Sequence, residues 1–328
     1  MMNFYPWLQQ TYQQITSTFL QGRGHHALLF KTDIGLGTET LIQHLAQWLL
    51  CQQKNAEAPC FQCKGCLLLQ SGNHPDLHLL APIENKDIGV DQIREMTLKL
   101  QTFAQQSGNV VVYIRGAERL TEAAANALLK TLEEPRDGVY FLLETVLQAK
   151  MMATIQSRCQ IWTIHAPEIS VALPWLQARC PQASEEDVMI ALRLCHQRPL
   201  ICKTFLENDR LPVRKAFLQT FWRFFKSRDV FLLLSIFEKE PAEVYEQLEW
   251  LESFFSDALK AKMQISEGWV NADLSQGIVQ FSQQLSSAQL LKGYQILQEV
   301  QQDLREINAV NAELILASAL TKLVLEVF

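Results

Sequence analysis

The chain has 328 residues, of which 48% are hydrophobic and 20% charged, the composition of a folded protein rather than a disordered one. At about 150 residues per domain, this length predicts two or three domains. Lys and Arg number 29 against 35 Asp and Glu, and the net charge of −6 argues against a protein that binds nucleic acid alone by neutralising phosphates. Any contact with DNA is expected to be local or shared with partner chains.

The sequence predicts neither export nor a membrane span. The segment from Met1 to Trp7 lacks the basic and apolar regions of a signal peptide. The longest apolar runs, such as 231–237, are far shorter than the roughly 20 residues of a spanning helix. Four of the eight cysteines fall within 51–66 and the others are scattered, unlike the disulfide framework of a small secreted protein. We expect a cytoplasmic protein.

The first half of the chain alternates strand and helix patterns. Three short apolar runs are typical of buried parallel strands: 27–30, 110–114 and 139–143. Amphipathic helical patterns follow the first two runs, one with its apolar face over 41–49 and one that begins near Glu122 and ends at Pro135. This alternation predicts a doubly wound α/β domain with helices on both faces of a parallel sheet.

After about residue 165 the strand patterns nearly vanish and helical periodicity continues. The segment 184–187 opens a helix with a capping-box pattern, and Pro199 and Pro212 bracket a predicted linker or turn region. Large apolar residues recur at core spacing at Trp250, Leu251, Phe254 and Phe255. We therefore predict three domains: an α/β domain at 1–165, a small helical domain at 166–208 and a larger all-helical domain at 209–328.

Four cysteines in the α/β domain have the spacing of a metal site: Cys51, Cys60, Cys63 and Cys66. Thiolates two residues apart in a turn can converge on one ion, and four of them complete a tetrahedral shell with no open position for a substrate. The pattern predicts a structural Zn²⁺ module inserted at 51–66, with an iron–sulfur cluster as the main alternative. The other four cysteines are expected to be ordinary reduced thiols.

The first strand, its glycine loop and the following helix form the context of a phosphate-binding P-loop, G-x-x-x-x-G-K-[ST]. In this chain Thr38 stands at the lysine position and Glu39 at the position of the Mg²⁺-binding hydroxyl. The second predicted strand is followed by Arg115 instead of the acidic pair that holds metal and water. We therefore expect no ATP hydrolysis by this chain. Weak anion binding at Gly35 and Gly37 is what such a degenerate loop could retain.

Two further motifs resemble those of a known family. The segment 126–135, NALLKTLEEP, and the triplet Ser157-Arg158-Cys159 resemble motifs of bacterial clamp-loader subunits of the AAA+ family. Motor subunits of that family keep the P-loop lysine and the acidic pair, so the chain is similar to the family's non-motor subunits. The segments 5–7, 23–27 and 74–76 add to this resemblance, which is dense over 1–165 and only architectural beyond.

The resemblance implies a non-catalytic stator subunit of the DNA polymerase III clamp loader. Such a loader uses ATP bound by its motor subunits to place the sliding clamp on primed DNA during chromosomal replication. The implied architecture is a RecA-like AAA+ domain, a helical lid and a C-terminal collar, with Zn²⁺ on the four clustered cysteines. The implied partners are the gamma or tau motors and the delta subunit through the collar, with clamp and DNA contacted indirectly or weakly. Polymerase chemistry would belong to the holoenzyme, a nucleotidyltransferase assembly, and not to this chain.

The resemblance also implies a catalytic role for Arg158, because in this family the arginine of Ser-Arg-Cys reaches ATP bound by the neighbouring motor. Such an arginine finger stabilises charge on the transferring phosphoryl group, an effect of about 10³–10⁵ in rate in related systems. The alternative is an arginine that caps the Ser157 region or pairs with a surface carboxylate. Lys130, Glu133 and Glu134 are expected to form the exposed face of their helix.

Two functions of other classes stay open. One is a weak nucleotide-binding ATPase with an atypical P-loop, in which the purified chain would turn over ATP. The other is a zinc-dependent DNA-binding module, which would bind DNA alone with salt-sensitive affinity. The acidic charge balance and the absence of a basic stripe beside the clustered cysteines count against the second function.

Overall fold

The structure is a computed structural model that describes residues 4–55, 58–83, 86–101, 104–106, 108–306 and 312–328. Residues 1–3, part of the segment expected to lack an export signal, lie outside the described residues. The chain divides into two compact units, Met1–Pro167 and Glu168–Phe328. Within the described ranges, no helix combines the length and apolar character needed to cross a membrane.

The first unit contains a parallel sheet, as the alternation of strand and helix patterns predicts. Its strands in the described ranges are β1 (Ala27–Thr32), β2 (Leu77–Leu80), β3 (Val110–Arg115), β4 (Val139–Val146) and β5 (Gln160–Thr163). They lie in the order β2-β3-β4-β1-β5, and every neighbouring pair is parallel. The helices are α1 (Gln9–Leu20), α2 (Thr38–Leu50), α3 (Lys64–Gln70), α4 (Val90–Leu100), α5 (Glu122–Glu133) and α6 (Ala153–Gln156). The predicted α/β fold is confirmed.

Successive side chains of β1 belong to two different cores. Leu29 packs with residues of α4 and α5, whereas Leu28 packs with residues of α1 and α2. Both residues are at most 1% exposed. Because a strand covered on both faces buries all its side chains, it has a continuous apolar sequence without polar alternation. Helices therefore cover both faces of the sheet, and the loops at the carboxyl ends of the strands are left to carry functional groups.

The described part of the second unit is helical. Its helices are α7 (Ile169–Arg179), α8 (Glu185–Leu194), α9 (Pro199–Glu207), α10 (Arg210–Ser227), α11 (Val230–Leu234), α12 (Pro241–Lys262), α13 (Ser275–Gln284), α14 (Ser287–Glu306) and α15 (Ala312–Lys322), followed by a π-helical turn at Leu323–Val327. The predicted capping box is confirmed: the Ser184 hydroxyl accepts from the Asp187 N–H, and the Asp187 carboxylate accepts from the Ser184 N–H.

Between Pro199 and Pro212 the structure has a two-residue turn at 208–209 that joins α9 to α10, so the turn is confirmed, but a longer linker is wrong because both prolines lie in helices. Pro199 is the first residue of α9, and Pro212 lies in the first turn of α10. Proline fits there since the first N–H groups of a helix have no intrahelical acceptor. The expected core positions on α12 are confirmed, with Trp250 and Phe255 among the buried side chains.

A buried polar network joins α10, α12 and the segment before α13. The guanidinium of Arg214 on α10 is 1% exposed and donates to both carboxylate oxygens of Asp273 at 3.0 Å and to the Asn271 Oδ1 at 2.6 Å. The fully buried Asp257 on α12 accepts from the backbone and side-chain N–H groups of Asn271 at 2.7 and 2.8 Å. These bonds give the buried charges polar partners, and without such partners their burial would destabilise the unit.

Candidate functional site

The loop between β1 and α2 is shaped by two glycines and covered by aromatic side chains. Gly35 and Gly37 have φ angles of 91° and 76°, a left-handed conformation that strains a residue with a Cβ. A Cβ on Gly37 would also collide with the ring of Tyr5. The indole N–H of Trp7 donates to the carbonyl of Leu36 at 2.8 Å. Two aromatic residues near the N-terminus thus pack directly against the glycine loop.

The first two residues of α2 bind other parts of the chain. The hydroxyls of Thr38 and Thr32 are both buried and share a hydrogen bond of 2.5 Å. The Glu39 Oε1 lies 3.6 Å from the Nη1 of Arg115, which ends β3, and each side chain is about half exposed. The side chains at the predicted lysine and Mg²⁺ positions are therefore engaged with protein groups.

A second carboxylate lies near the same carboxyl ends of the central strands. The Tyr113 hydroxyl on β3 donates to the carboxylate of Glu144 on β4. Burial raises the pKa of Glu144, and the negative charge of Glu39 raises it further, against the lowering effects of Tyr113 and Arg115. A carboxyl that retains its proton more readily is a poorer metal ligand, because a ligand must be deprotonated.

The four cysteines predicted to bind metal lie together around the start of α3. All four Sγ atoms lie within 4.8 Å of one another. The distances are 3.5 Å for Cys51–Cys60, 3.9 Å for Cys51–Cys63 and 4.0 Å for Cys60–Cys66. A tetrahedron with Zn–S bonds of about 2.3 Å has S–S edges of about 3.8 Å. The cluster therefore has the dimensions of a four-thiolate zinc shell, and all four thiols are free of disulfides.

Hydrogen bonds in the cluster favour thiolates at its more exposed members. The backbone N–H groups of Gln62 and Cys63 lower the pKa of Cys60. Burial opposes ionisation of Cys63, but the N–H groups of Cys66 and Gln52 and the neighbouring thiols lower its pKa to about 6. Burial raises the pKa of both Cys51 and Cys66. The more buried thiols would need the charge of a bound cation to ionise, as the thiols of a metal site do.

Arg158 follows the short helix α6, and its guanidinium contacts the end of α5. Its Nε donates to the Glu133 Oε1 at 2.7 Å, and its Nη2 donates to the same oxygen. Its Nη1 donates to the Thr154 carbonyl at 2.7 Å and to the Ser157 hydroxyl at 3.3 Å. The side chain is 30% exposed. The surface carboxylate and the contact with Ser157 named as the alternative for this arginine are thus both present within the chain.

Glu133 was not predicted as the partner of Arg158. Glu133 is exposed on α5, as expected of the charged face of that helix, but its carboxylate is directed to a residue 25 positions later. The two residues belong to different motifs, and only the folding of α5 against α6 brings them together. The sequence offers no signal for this pairing beyond their opposite charges.

Comparison with known proteins assigns the chain to a family. Residues 7–168 match the family model described as DNA polymerase III, delta subunit, and residues 208–324 match the model of its C-terminal part. DNA polymerase III subunit delta-prime of Haemophilus influenzae is 47% identical over 328 residues, covering 100% of this chain and 99% of that protein. The chain belongs to the DNA polymerase III delta-prime subunit family. The delta-prime subunit of Escherichia coli is 34% identical over 323 residues, covering 98% and 96%.

The delta-prime family assignment holds for both units, because these alignments span nearly the whole chain. Among solved structures, the chain is similar to a DNA polymerase III gamma subunit-related protein from Thermotoga maritima. That match has 16% identity and a TM-score of 0.44, and it covers 95% of this chain and 97% of that chain.

Proposed function

We propose that the chain is a non-catalytic stator subunit of a DNA polymerase III clamp loader and supplies Arg158 to ATP bound by a neighbouring motor subunit. In this role it hydrolyses no ATP itself, and the loader uses the ATP of the motors to place the sliding clamp on primed DNA. Membership of the delta-prime family supports the clamp-loader role. One observation carries the proposal: the Arg158 side chain is 30% exposed, and its Nη1 is held by the Thr154 carbonyl of the same chain.

The chemistry of an arginine finger suits this geometry. A planar guanidinium offers five N–H donors and keeps its charge at every physiological pH. It stabilises negative charge on the oxygens of a transferring phosphoryl group when it is held in place before the reaction. The bond from Arg158 to the Thr154 carbonyl fixes the guanidinium relative to α6, and the exposed fraction of the side chain is available to another molecule.

The groups around the glycine loop support a subunit that leaves hydrolysis to its partners. The position of the P-loop lysine is held by Thr38, whose hydroxyl bonds to Thr32. Glu39 would repel a triphosphate, and its ion pair with Arg115 brings together the elements that hold Mg²⁺ in an active P-loop. Both features make productive binding of Mg-ATP unfavourable.

We infer that the cysteine cluster holds a structural Zn²⁺ ion. The sulfur–sulfur distances and the hydrogen bonds that favour thiolates fit a four-thiolate site. When bound, Zn²⁺ cross-links the 51–66 segment and has no coordination position left for a substrate. The role of the site is therefore to hold this segment against the α/β unit.

The role proposed for each part of the chain follows the domains expected from the sequence. The α/β domain at 1–165 carries Arg158 and the zinc module, the helices at 166–208 form a lid, and the helices at 209–328 form the collar. We propose that the collar binds the gamma or tau motors and the delta subunit in the cytoplasm. The sliding clamp and primer–template DNA would be contacted indirectly or weakly, in keeping with the net charge of −6.

The test is the DNA- and clamp-stimulated ATP turnover of the reconstituted loader with the wild-type chain or its Arg158→Ala variant. Removal of a finger should lower kcat by about 10³-fold or more, whereas assembly is preserved. Arg158→Lys should rescue little, because an ammonium lacks the planar fork. Arg94→Ala is a matched control, since Arg94 is an exposed arginine of the same unit that pairs with Asp91.

The size of the complex, measured by gel filtration, separates catalysis from assembly. If Arg158→Ala leaves turnover unchanged in a fully assembled loader, the chain supplies no finger and only its scaffold role remains. If the isolated wild-type chain turns over ATP, the ATPase alternative replaces the stator proposal.

A further inference from the structure

The guanidinium of Arg158 is held on one side by a single carboxylate. Its Nε and Nη2 form the side-on edge of the guanidinium, and both donate to the Oε1 of Glu133. Carboxylates bind this edge through charge-assisted hydrogen bonds. Such bonds are about twice as strong as those between neutral groups. Glu133 is the last residue of α5, where the carbonyl groups of the helix end add to the negative potential around the arginine.

The remaining contacts leave one donor for an external acceptor. Nη1 donates to the Thr154 carbonyl and the Ser157 hydroxyl. Together with the two bonds to Glu133, these contacts engage four of the five N–H groups of the guanidinium. Within the described ranges, no acceptor is found for the second N–H of Nη2. The guanidinium is therefore oriented by residues of α5 and α6, and a phosphoryl oxygen of another molecule can reach a donor without breaking these contacts.

We propose that Glu133 is a positioning residue that orients Arg158 for its reaction in trans. This inference rests on the proposed role of Arg158 as an arginine finger. A free arginine side chain has several rotatable bonds, and fixing them during the reaction would raise the barrier. The Glu133 carboxylate fixes the side-on edge before the motor subunit binds, so the donors of Arg158 are already oriented when charge develops on the phosphoryl group.

The experiment measures ATP turnover of the reconstituted loader with Glu133→Ala, Arg158→Ala and the double variant. We expect Glu133→Ala to lower kcat by about 3- to 10-fold with KM for ATP unchanged, the range for one solvent-exposed, charge-assisted contact. Glu133→Gln keeps an acceptor oxygen and should recover part of the loss. In the Arg158→Ala background, Glu133→Ala should cause no further loss, because its effect requires the arginine.

Glu134→Ala is the matched control, because Glu134 is the adjacent exposed glutamate of the same motif. Turnover with this variant should equal the wild-type value. Thermal unfolding and gel filtration establish that each variant folds and assembles. Since Glu133 and Arg158 are both partly exposed, their ion pair adds little to stability. If Glu133→Ala nevertheless fails to fold, Glu133→Gln and its double variant with Arg158→Ala give the same comparison.

Three results would overturn the inference while leaving the finger role intact. In the first, Glu133→Ala keeps wild-type turnover although Arg158→Ala causes a large loss. In the second, Glu133→Ala increases turnover. In the third, Glu133→Ala causes the same loss in the wild-type chain and in the Arg158→Ala background. Unchanged turnover with Arg158→Ala alone is the separate result that removes the proposed function itself.

Discussion

The carboxylate of Glu39 lies 3.6 Å from the guanidinium of Arg115, so an ion pair connects the start of α2 to the end of β3. In a metal-dependent P-loop these two elements supply the hydroxyl and the acid that hold Mg²⁺. Here they carry charges of opposite sign that attract each other. The guanidinium of Arg115 thus provides positive charge at the carboxyl end of β3 without a bound metal.

We expect ATP and Mg²⁺ to raise the Tm of the isolated wild-type chain only slightly, and only at high ligand concentration, because Glu39 repels the phosphates. Glu39→Gln removes this like charge and leaves Arg115 without its carboxylate partner. Binding of ATP or inorganic pyrophosphate should then tighten by about 5-fold or more, and it should not require Mg²⁺. Thermal shift measurements over a range of ligand concentrations check this expectation.

The double variant with Arg115→Ala is the control, and it should lose the gain in affinity. Mg²⁺-dependent stabilisation of the wild-type chain that saturates at low ATP concentration would show that Glu39 does not prevent binding of Mg-ATP.

Cys63→Ser should abolish stoichiometric metal binding, because three thiolates cannot complete the tetrahedral shell. We expect the zinc content to fall well below one ion per chain and the free energy of unfolding to fall by about 2 kcal/mol or more. Elemental analysis of the purified protein and urea denaturation measure the two effects.

Cys159→Ser provides the comparison, since Cys159 lies in the same unit but outside the cluster. It should retain the full metal content. A Cys63→Ser protein with unchanged metal content would show that the cluster binds no zinc.

Glu144→Gln should change how stability depends on pH. Since burial raises the folded-state pKa of Glu144 above its usual value of 4.5, the unfolded chain releases this proton at lower pH than the folded chain. The contribution of Glu144 to stability is thus complete below the usual pKa of 4.5 and is lost as pH rises through the higher pKa of the folded chain. Glutamine cannot ionise and can still accept a hydrogen bond from Tyr113.

Urea denaturation of both proteins at a series of pH values from 4.5 to 8 tests this expectation. The free energy of unfolding of Glu144→Gln, relative to wild type, should increase with pH. A constant difference between Glu144→Gln and wild type would mean that Glu144 titrates normally in the folded chain.

The sequence was sufficient to predict the centre of the sheet but not its edges. The runs at 110–114 and 139–143 are continuous and apolar because β3 and β4 are covered on both faces, and both strands are present. The edge strands β2 and β5 were not predicted. Each has four residues, and most of their side chains are partly or largely exposed, so they have neither the length nor the apolar pattern of a central strand.

The candidate sites show the same distinction between local and long-range information. The cysteine cluster could be predicted because its ligands lie within 16 consecutive residues and their spacing constrains the chain directly. The partners of Arg158 and Arg115 lie 25 and 76 positions away in the sequence. Such pairs depend on the packing of separate elements, which periodicity and residue type do not specify.

The Arg214 network has a consequence for synthesis of the chain on the ribosome. Arg214 is made 59 residues before Asp273, and 57 residues before Asn271. Until both have emerged, packing α10 in its final position would bury an uncompensated positive charge, which is strongly unfavourable. The nascent α10 should therefore remain hydrated while α12 is translated. The C-terminal unit would then reach its native packing only after the segment before α13 leaves the exit tunnel.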